Sequence, residues 1–335
     1  MTRPTPEAIR LVFLGTPEFA VPSLERLARE PDFRIVLVVT QPDRPAGRGR
    51  ELRPPAVKRA ALALGLPVVQ PASLRDLAIP ERIVAVSPHV GVVVAYGELV
   101  PKRLLDLPSH GFLNVHPSLL PKYRGASPIQ AAILNGDPIT GVTIIRLTPS
   151  LDAGPIVRQV SVPIREDDTA GTLSERLALV AAEMLPETIR DWIAGRIVPI
   201  PQDERAATYT RPLGKEDGRI DWSNSSEAIA RAVRAFQPWP SAWTTLAGKV
   251  VKILKVHSIE LDVSLPPGCM VPLRSILAVA TGTGGLALDV VQPEGKRPMS
   301  GIDWWRGLRV DPGVCFDERA NDRPSAPGSL PVDAA

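Results

Sequence analysis

The stretch FLNVHPSLLPKYRGASP, residues 112–128, sets Asn114 and His116 two residues apart and then breaks into a proline-fenced loop. Strand side chains alternate with period two, so an amide and an imidazole at this spacing share one face of a strand. Pro117 follows at once and has no N–H to extend a ladder, which places the pair at a strand end. Further along, SLDAGPI (150–156) carries Asp152 just beyond the apolar run GVTIIRL (141–147), whose end can present it at the same sheet edge. An amide donor, a titratable base and a carboxylate to orient that base suit a group transfer. Without a serine or cysteine nucleophile in the trio, the substrate itself supplies the attacking atom. Spacing alone fits a blander reading equally well, a satisfied polar pair in a core and an aspartate that caps a turn.

The elements that must position such a trio follow from hydrophobic periodicity. RLVFL (10–14), RIVLVVT (34–40), GVVVAY (91–96), FLNVH (112–116) and GVTIIRL (141–147) read as buried strands. Val21, Leu24, Leu27 and Ala28 recur at helical spacing, with Thr16 as the N-cap of that helix and Pro17 and Glu18 in its first turn. Further helices are predicted near 54–64, 101–106 and 127–135, with Gly65 and Gly136 as stops. This alternation predicts an open, mostly parallel, Rossmann-like α/β sheet with ligands at the carboxyl ends of its strands. A dinucleotide is not expected, because Gly15 is followed by Thr16, Pro17 and Glu18 rather than by a G-x-G-x-x-G pattern. TGTGG (281–285) reads as a hairpin turn.

A helix near 171–194 closes a first domain, 1–194, and 195–212 reads as a linker. DWSNSSEAIARAVRAF (221–236) then offers a helix with Ile229, Val233 and Phe236 on one stripe. Short strands joined by Gly and Pro turns follow, the pattern of a small OB-like β-barrel over 213–317. Trp239 and Trp243 read as core residues of that domain. The tail 318–335 has little to bury and is expected to be disordered.

With 335 residues, 44% hydrophobic and 22% charged, the chain is long enough for two soluble domains. No apolar run approaches the roughly 18 residues of a membrane span, and the start lacks a signal-peptide core, so a cytoplasmic protein is expected. Cys269 and Cys315 lie far apart, and the four histidines form no cluster with them. Neither a disulfide framework nor a metal site is therefore expected. A net charge of +3 permits nucleic acid as a partner and decides nothing. The loop QPDRPAGRGRELRPPAVK (41–58) gathers Arg44, Arg48, Arg50, Arg53 and Lys58, a set that on charge alone is an ordinary solvated face.

Motif by motif, the chain resembles the folate-dependent formyltransferases. The similar blocks are FLGTPEFAVPSLERL, the arginine loop, VVVAYGELVP, NVHPSLLPKYRGASPIQAAILNGD, TGVTI and LDAGPI. They continue with RIDWS, RAFQPWPSAW, VKILK and QPEGKRPMSG, and together span most of residues 10–310. The resemblance implies that Asn114, His116 and Asp152 carry catalysis. It implies that Ser118, Leu119, Leu120 and Pro121, together with Tyr96 and Gly97, line a site for 10-formyltetrahydrofolate, with no metal. The loop and second domain are similar to those of members whose amine acceptor is initiator methionyl-tRNA. On that footing Arg44, Arg48, Arg50 and Arg53 meet the acceptor end of the tRNA, where a planar guanidinium suits phosphates and unpaired bases. No membrane and no obligate protein partner are implied. The alternative is a related formyltransferase acting on an amino sugar or another small amine, which would keep the trio without this loop and barrel.

A loop that meets phosphates makes binding depend on salt. Replacing Arg48 or Arg50 with Ala is expected to flatten the plot of log tRNA affinity against log salt by roughly 0.7–0.9 for each phosphate no longer neutralised, with folate binding unchanged. Titration of initiator tRNA across a salt series checks this. Two variants indistinguishable from the parent would leave the loop a solvated face.

Overall fold

A computed structural model describes residues 8–46, 51–261 and 265–317. In chain order the elements begin β1 (Ile9–Gly15), α1 (Val21–Ala28), β2 (Phe33–Val39), β3 (Arg44–Ala46), β4 (Glu51–Arg53), α2 (Ala56–Ala63) and β5 (Val68–Val69). They continue with α3 (Ala78–Ala85), β6 (Val90–Val94), α4 (Lys102–Leu105), β7 (Phe112–His116), β8 (Arg124–Gly125) and α5 (Pro128–Asn135). Next come β9 (Ile139–Arg146), β10 (Ile156–Pro163), α6 (Ala170–Ile193), β11 (Tyr209–Thr210) and α7 (Ser226–Ala235). The last are β12 (Ala242–Leu246), β13 (Lys249–Ile259), β14 (Met270–Leu273), β15 (Ile276–Ala280), β16 (Gly285–Pro293), β17 (Met299–Ser300) and α8 (Gly301–Leu308). The chain divides into two compact units. Of the described residues, one takes those up to Gly125 with Ile139–Pro163 and Ser174–Tyr209, and the other takes Ala126–Pro138, Ile164–Leu173 and those from Thr210 to Asp317.

The first unit is built on a seven-stranded sheet in the order β10-β9-β7-β6-β1-β2-β5. From β7 to β5 every neighbouring pair is parallel, while β9 and β10 add an antiparallel edge. The mostly parallel sheet predicted from the apolar runs is therefore present. Leu11, Val12, Phe13 and Leu14 are all fully buried, the continuous burial of a strand covered on both faces. Gly65 and Gly136 take φ of +67° and +71° just past α2 and α5, the left-handed conformation that a glycine stop allows. The first helix starts differently from the expectation. A short 3-10 turn, Glu18–Ala20, precedes α1, and Thr16 sends its hydroxyl to the Tyr96 carbonyl oxygen 2.7 Å away. That acceptor, just past the end of β6, takes the one proton the hydroxyl can donate.

In the second unit, Ser225 caps α7 by accepting from the Ala228 N–H, and Ile229, Val233 and Phe236 are buried as predicted. The strands form an antiparallel sheet in the order β12-β13-β16-β15-β14, with β17 beside β16, and TGTGG turns between the antiparallel β15 and β16. Trp222 and Trp304 stack on Phe316 with ring centroids 5.1 and 6.0 Å apart. Two expectations fail here. Trp239 is 56% exposed while Trp243 is 9% exposed, because Trp243 lies on β12 and packs inward whereas Trp239 precedes the strand. Cys269 and Cys315, 46 residues apart, are joined in a disulfide. An antiparallel bridge between these two residues, flanked by Phe316 N–H donating to Gly268 and Met270 N–H donating to Val314, brings the backbones together.

Gly91 on β6 sits opposite Phe112 on β7, and a Cβ there would lie 2.1 Å from the Phe112 ring. Gly91→Ala is expected to destabilise the protein by about 1–3 kcal/mol through overpacking. Urea unfolding measures it, and an unchanged midpoint would contradict this packing.

Candidate active site

β7 ends the parallel run of the sheet, and its pleat places Asn114 and His116 on one face, 8% and 4% exposed. Asp152 reaches them by a route that strand continuation does not describe. β9 runs antiparallel to β7, pairing Thr143 with His116 and Arg146 with Leu113, so it finishes at the end of β7 away from His116. Residues 147–155 instead double back. Their base is closed by the Arg146 N–H donating to the Pro155 carbonyl at 3.0 Å. Gly154 presses so close that a Cβ would lie 1.8 Å from the Arg146 carbonyl oxygen. Asp152 itself has φ of +47°, a conformation that Asp and Asn tolerate better than other side chains.

The doubled-back loop brings the trio together. Asn114 Nδ2 donates to Asp152 Oδ1 at 3.3 Å, and the Gly125 N–H donates to Asp152 Oδ2 at 2.9 Å. His116 Nδ1 is 3.6 Å from Oδ2, within ion-pair range and beyond a hydrogen bond. His116 Nε2 lies 2.8 Å from the Tyr123 carbonyl oxygen. A carbonyl only accepts, so Nε2 carries the proton of that contact. Both ring nitrogens thus face acceptors, and the ring has a place for a proton on each. Nothing in the sequence motif singles out Tyr123, because its part in the site is played by the backbone.

The loop after β7 spends its polar groups on itself and on side chains of β9 and β10. Ser118 Oγ donates to the Lys122 carbonyl at 2.6 Å, and the Leu120 N–H donates to Thr143 Oγ1 at 3.1 Å. Thr143 Oγ1 donates in turn to the Ser118 carbonyl at 2.6 Å, and Gln159 Nε2 donates to the Leu120 carbonyl at 3.0 Å. Leu119 and Pro121 remain half-buried, so what the loop offers a ligand is a fixed apolar edge. The Tyr96 ring is buried with Leu14, Val39 and Leu104, and burial pushes its hydroxyl up to about 12. Tyr96 can meet a ligand only through its backbone, next to the exposed Gly97.

Arg44 and Arg53 face each other across the β3–β4 hairpin and are exposed. Arg48 and Arg50 lie outside the described residues. The foot of this hairpin is tied to its surroundings. Gln70 Nε2 donates to Asp43 at 2.7 Å and Lys58 Nζ at 2.8 and 2.9 Å, and these contacts hold the Asp43 carboxyl below the usual carboxylate range. Among the described residues no group of three or more His, Cys, Asp or Glu is placed to hold a metal ion. No described helix is long and apolar enough to cross a membrane.

Sequence reasoning also passes over Arg124, whose side chain is fully buried between the two residues that touch His116 and Asp152. Glu204 receives it in a two-pronged pair, Nη1 to Oε2 and Nη2 to Oε1, both at 2.8 Å. Tyr209 Oη accepts a further bond from Nη1 at 3.0 Å. The Glu204 carboxylate holds the guanidinium above its ordinary range, and Arg124 holds the Glu204 carboxyl below its own. Residues 195–212, expected as a linker, thus supply partners to the candidate site. Their only sequence signal is a polar, proline-bearing texture.

Residues 9–189 match the formyl transferase family, and residues 212–309 match the formyl transferase C-terminal domain. The methionyl-tRNA formyltransferase of Roseiflexus castenholzii is 49% identical over 308 residues, which cover 91% of this chain and 98% of that protein. The methionyl-tRNA formyltransferase of Thermodesulfovibrio yellowstonii is 43% identical over 304 residues, 91% of this chain and 97% of that protein. Among solved structures, an N-formyltransferase from Helicobacter canadensis, in complex with folinic acid and dTDP-3-aminofucose, superposes with a TM-score of 0.64. That match covers 85% of this chain and 99% of the other at 18% identity, a likeness of fold.

Glu204, itself exposed, provides a pH test of its pair with the buried Arg124. Its value in the folded chain lies below 4.5, the ordinary value that the unfolded chain takes. The ionised pair therefore stabilises the fold above pH 4.5, and that contribution is lost as pH falls through the depressed folded value. Glu204→Gln removes the titration. The stability gap between parent and variant, followed by denaturant unfolding from neutral pH downwards, is expected to stay constant above pH 4.5 and to close below it. A gap independent of pH would contradict the pairing.

Proposed function

This chain belongs to the formyl transferase family, and from that premise we propose that it carries the formyl group of 10-formyltetrahydrofolate to the amino group of methionyl-tRNA, with the initiator tRNA as acceptor. The observation that carries the reading is the 49% identity with a methionyl-tRNA formyltransferase over 98% of that protein's length. A match confined to the first unit would leave the acceptor open, because the catalytic trio alone does not choose an amine. The arginine hairpin falls within residues 9–189 and most of the chain after Thr210 within 212–309, the spans that match the family.

The residues at the end of β7 fit a formyl donor: a buried amide with N–H to give, an imidazole beside it, and a rigid apolar loop edge. When bound, the folate supplies a formyl carbon on a nitrogen that can leave. Asn114 commits Nδ2 to Asp152 through one proton and keeps the second for the oxygen that gains charge as the amine attacks. One such donor is worth about 3 kcal/mol in the transition state. A carbon–nitrogen bond forms to the amine, the bond to the folate nitrogen breaks, and the proton given up by the amine ends on that nitrogen. His116 holds and moves this proton, with Asp152 3.6 Å away to face the positive ring. Arg44 and Arg53 on the exposed hairpin, with Arg48 and Arg50 between them in sequence, receive the acceptor end of the tRNA.

Formyl transfer to charged initiator tRNA, charged elongator tRNA and a free sugar amine, measured side by side, tests the reading. Transfer to the free amine with neither tRNA accepted would overturn it. His116→Ala and Asn114→Ala are each expected to lower kcat by at least about 100-fold with an unchanged circular dichroism spectrum. Asp152→Asn is expected to be severely impaired as well. Near-normal turnover in any one of the three would remove that residue from its role.

A further inference from the structure

Asp152 keeps a left-handed backbone, and a non-glycine residue stays there only where its surroundings hold it. Three contacts do so. Asn114 and Gly125 take the two carboxylate oxygens, and the third contact comes from Gln202, whose Nε2 donates to the Asp152 carbonyl at 2.8 Å. The same nitrogen donates to the Gly154 carbonyl at 2.6 Å, so one side chain grips the loop on both sides of Ala153.

What aims that amide is Arg124. Gln202 Oε1 accepts from Arg124 Nε at 3.1 Å and from Nη2 at 2.8 Å. An amide whose oxygen is committed to a guanidinium must turn its NH2 the other way, towards the carbonyls of the loop. The position needs an acceptor on one side and a donor on the other, a combination that a carboxylate or an ammonium cannot supply. The backbone around Arg124 is fixed as well. Its N–H donates to the Thr208 carbonyl at 2.8 Å, and the Tyr123 N–H donates to Thr208 Oγ1 at 2.8 Å. The contacts therefore close a ring, from His116 to Tyr123, through Arg124 to Gln202, and on to Asp152 beside His116.

We infer that Gln202, aimed by Arg124, is a positioning residue for formyl transfer, holding Asp152 in the backbone conformation that keeps its carboxylate beside His116. The inference rests on the reading that Asp152 supports His116 in the reaction. Gln202 touches no reacting atom and acts through Asp152 alone.

Gln202→Glu separates this role from simple packing. A glutamate still accepts from Arg124, so the buried guanidinium stays satisfied, while both donations to the loop disappear. The expected result is a kcat lowered by about tenfold, the scale of one well-placed hydrogen bond, with KM for 10-formyltetrahydrofolate and for methionyl-tRNA unchanged. Placed on Asp152→Asn, the same substitution is expected to lower single-turnover rates no further, since its effect passes through the carboxylate. Gln202→Met, which introduces no new charge, repeats the test should the glutamate variant fail to fold, and is expected to show the same loss in kcat. Parental kcat in the folded variant overturns the inference, and so does a loss that adds in full to that of Asp152→Asn. Parental turnover in Asp152→Asn itself would overturn the reading of the trio and the inference with it. An impaired Asp152→Asn beside a parental Gln202 variant would overturn the inference alone.

Discussion

A guanidinium shut away from water has to find acceptors, and where Arg124 finds them governs this end of the sheet. Its side chain is fully buried, yet the acceptors described above all come from a segment about 80 residues further along the chain. Leaving such a group unpaired would cost several kcal/mol, far more than an exposed ion pair ever returns. The chain from Gln202 to Tyr209 is therefore drawn against the turn that carries Tyr123 and Gly125. Those two backbone groups are the ones that touch His116 and Asp152. The charge of one residue thereby fixes groups that are not its own.

The antiparallel edge of the sheet adds a second constraint. A purely parallel sheet would deliver successive strand ends to one rim, and a carboxylate could arrive there by simple continuation. β9 runs the other way, so Asp152 has to be returned by a loop. That loop gains its stiffness from close backbone contact, at Gly154 and at the Arg146–Pro155 bond, and from the Gln202 amide that donates to it on both sides of Ala153. The arginine hairpin is handled differently. Its foot is anchored by the Lys58–Asp43–Gln70 contacts, while Arg44 and Arg53 face solvent. The buried trio and the exposed arginine hairpin are thus secured by different means within one unit.

Much of this is legible in the amino-acid order alone. The runs at 10–14 and 91–94 are strands because continuous apolar residues have nowhere else to go, 112–116 is one with Asn114 and His116 set into it, and Gly65 and Gly136 stop helices as their positions after apolar helical stripes predict. Asn114 and His116 share a face because period two demands it. The features that the sequence hides have a common cause: each depends on a partner remote along the chain. Thr16 meets a carbonyl 80 residues away, Cys269 meets Cys315 across a bridge, and Gln202 meets both a buried arginine and the Asp152 loop. Local periodicity carries no trace of such contacts. Trp239 departs from expectation for another reason, since an indole looks like core until it is known whether it lies on a strand or ahead of one.

The positive φ of Asp152 has a consequence for how this position can drift. Among L-residues, asparagine and aspartate enter that backbone region at lower cost than most, and glycine enters it freely. An aspartate here thus has two exits that the backbone tolerates, and both discard the negative charge. Glutamate, which would preserve the charge, meets the backbone penalty and carries its carboxylate one methylene too far. The replacements that the backbone accepts most readily therefore lose the charge, and the one that keeps the charge meets the backbone penalty. The position is locked more tightly than either requirement would lock it alone.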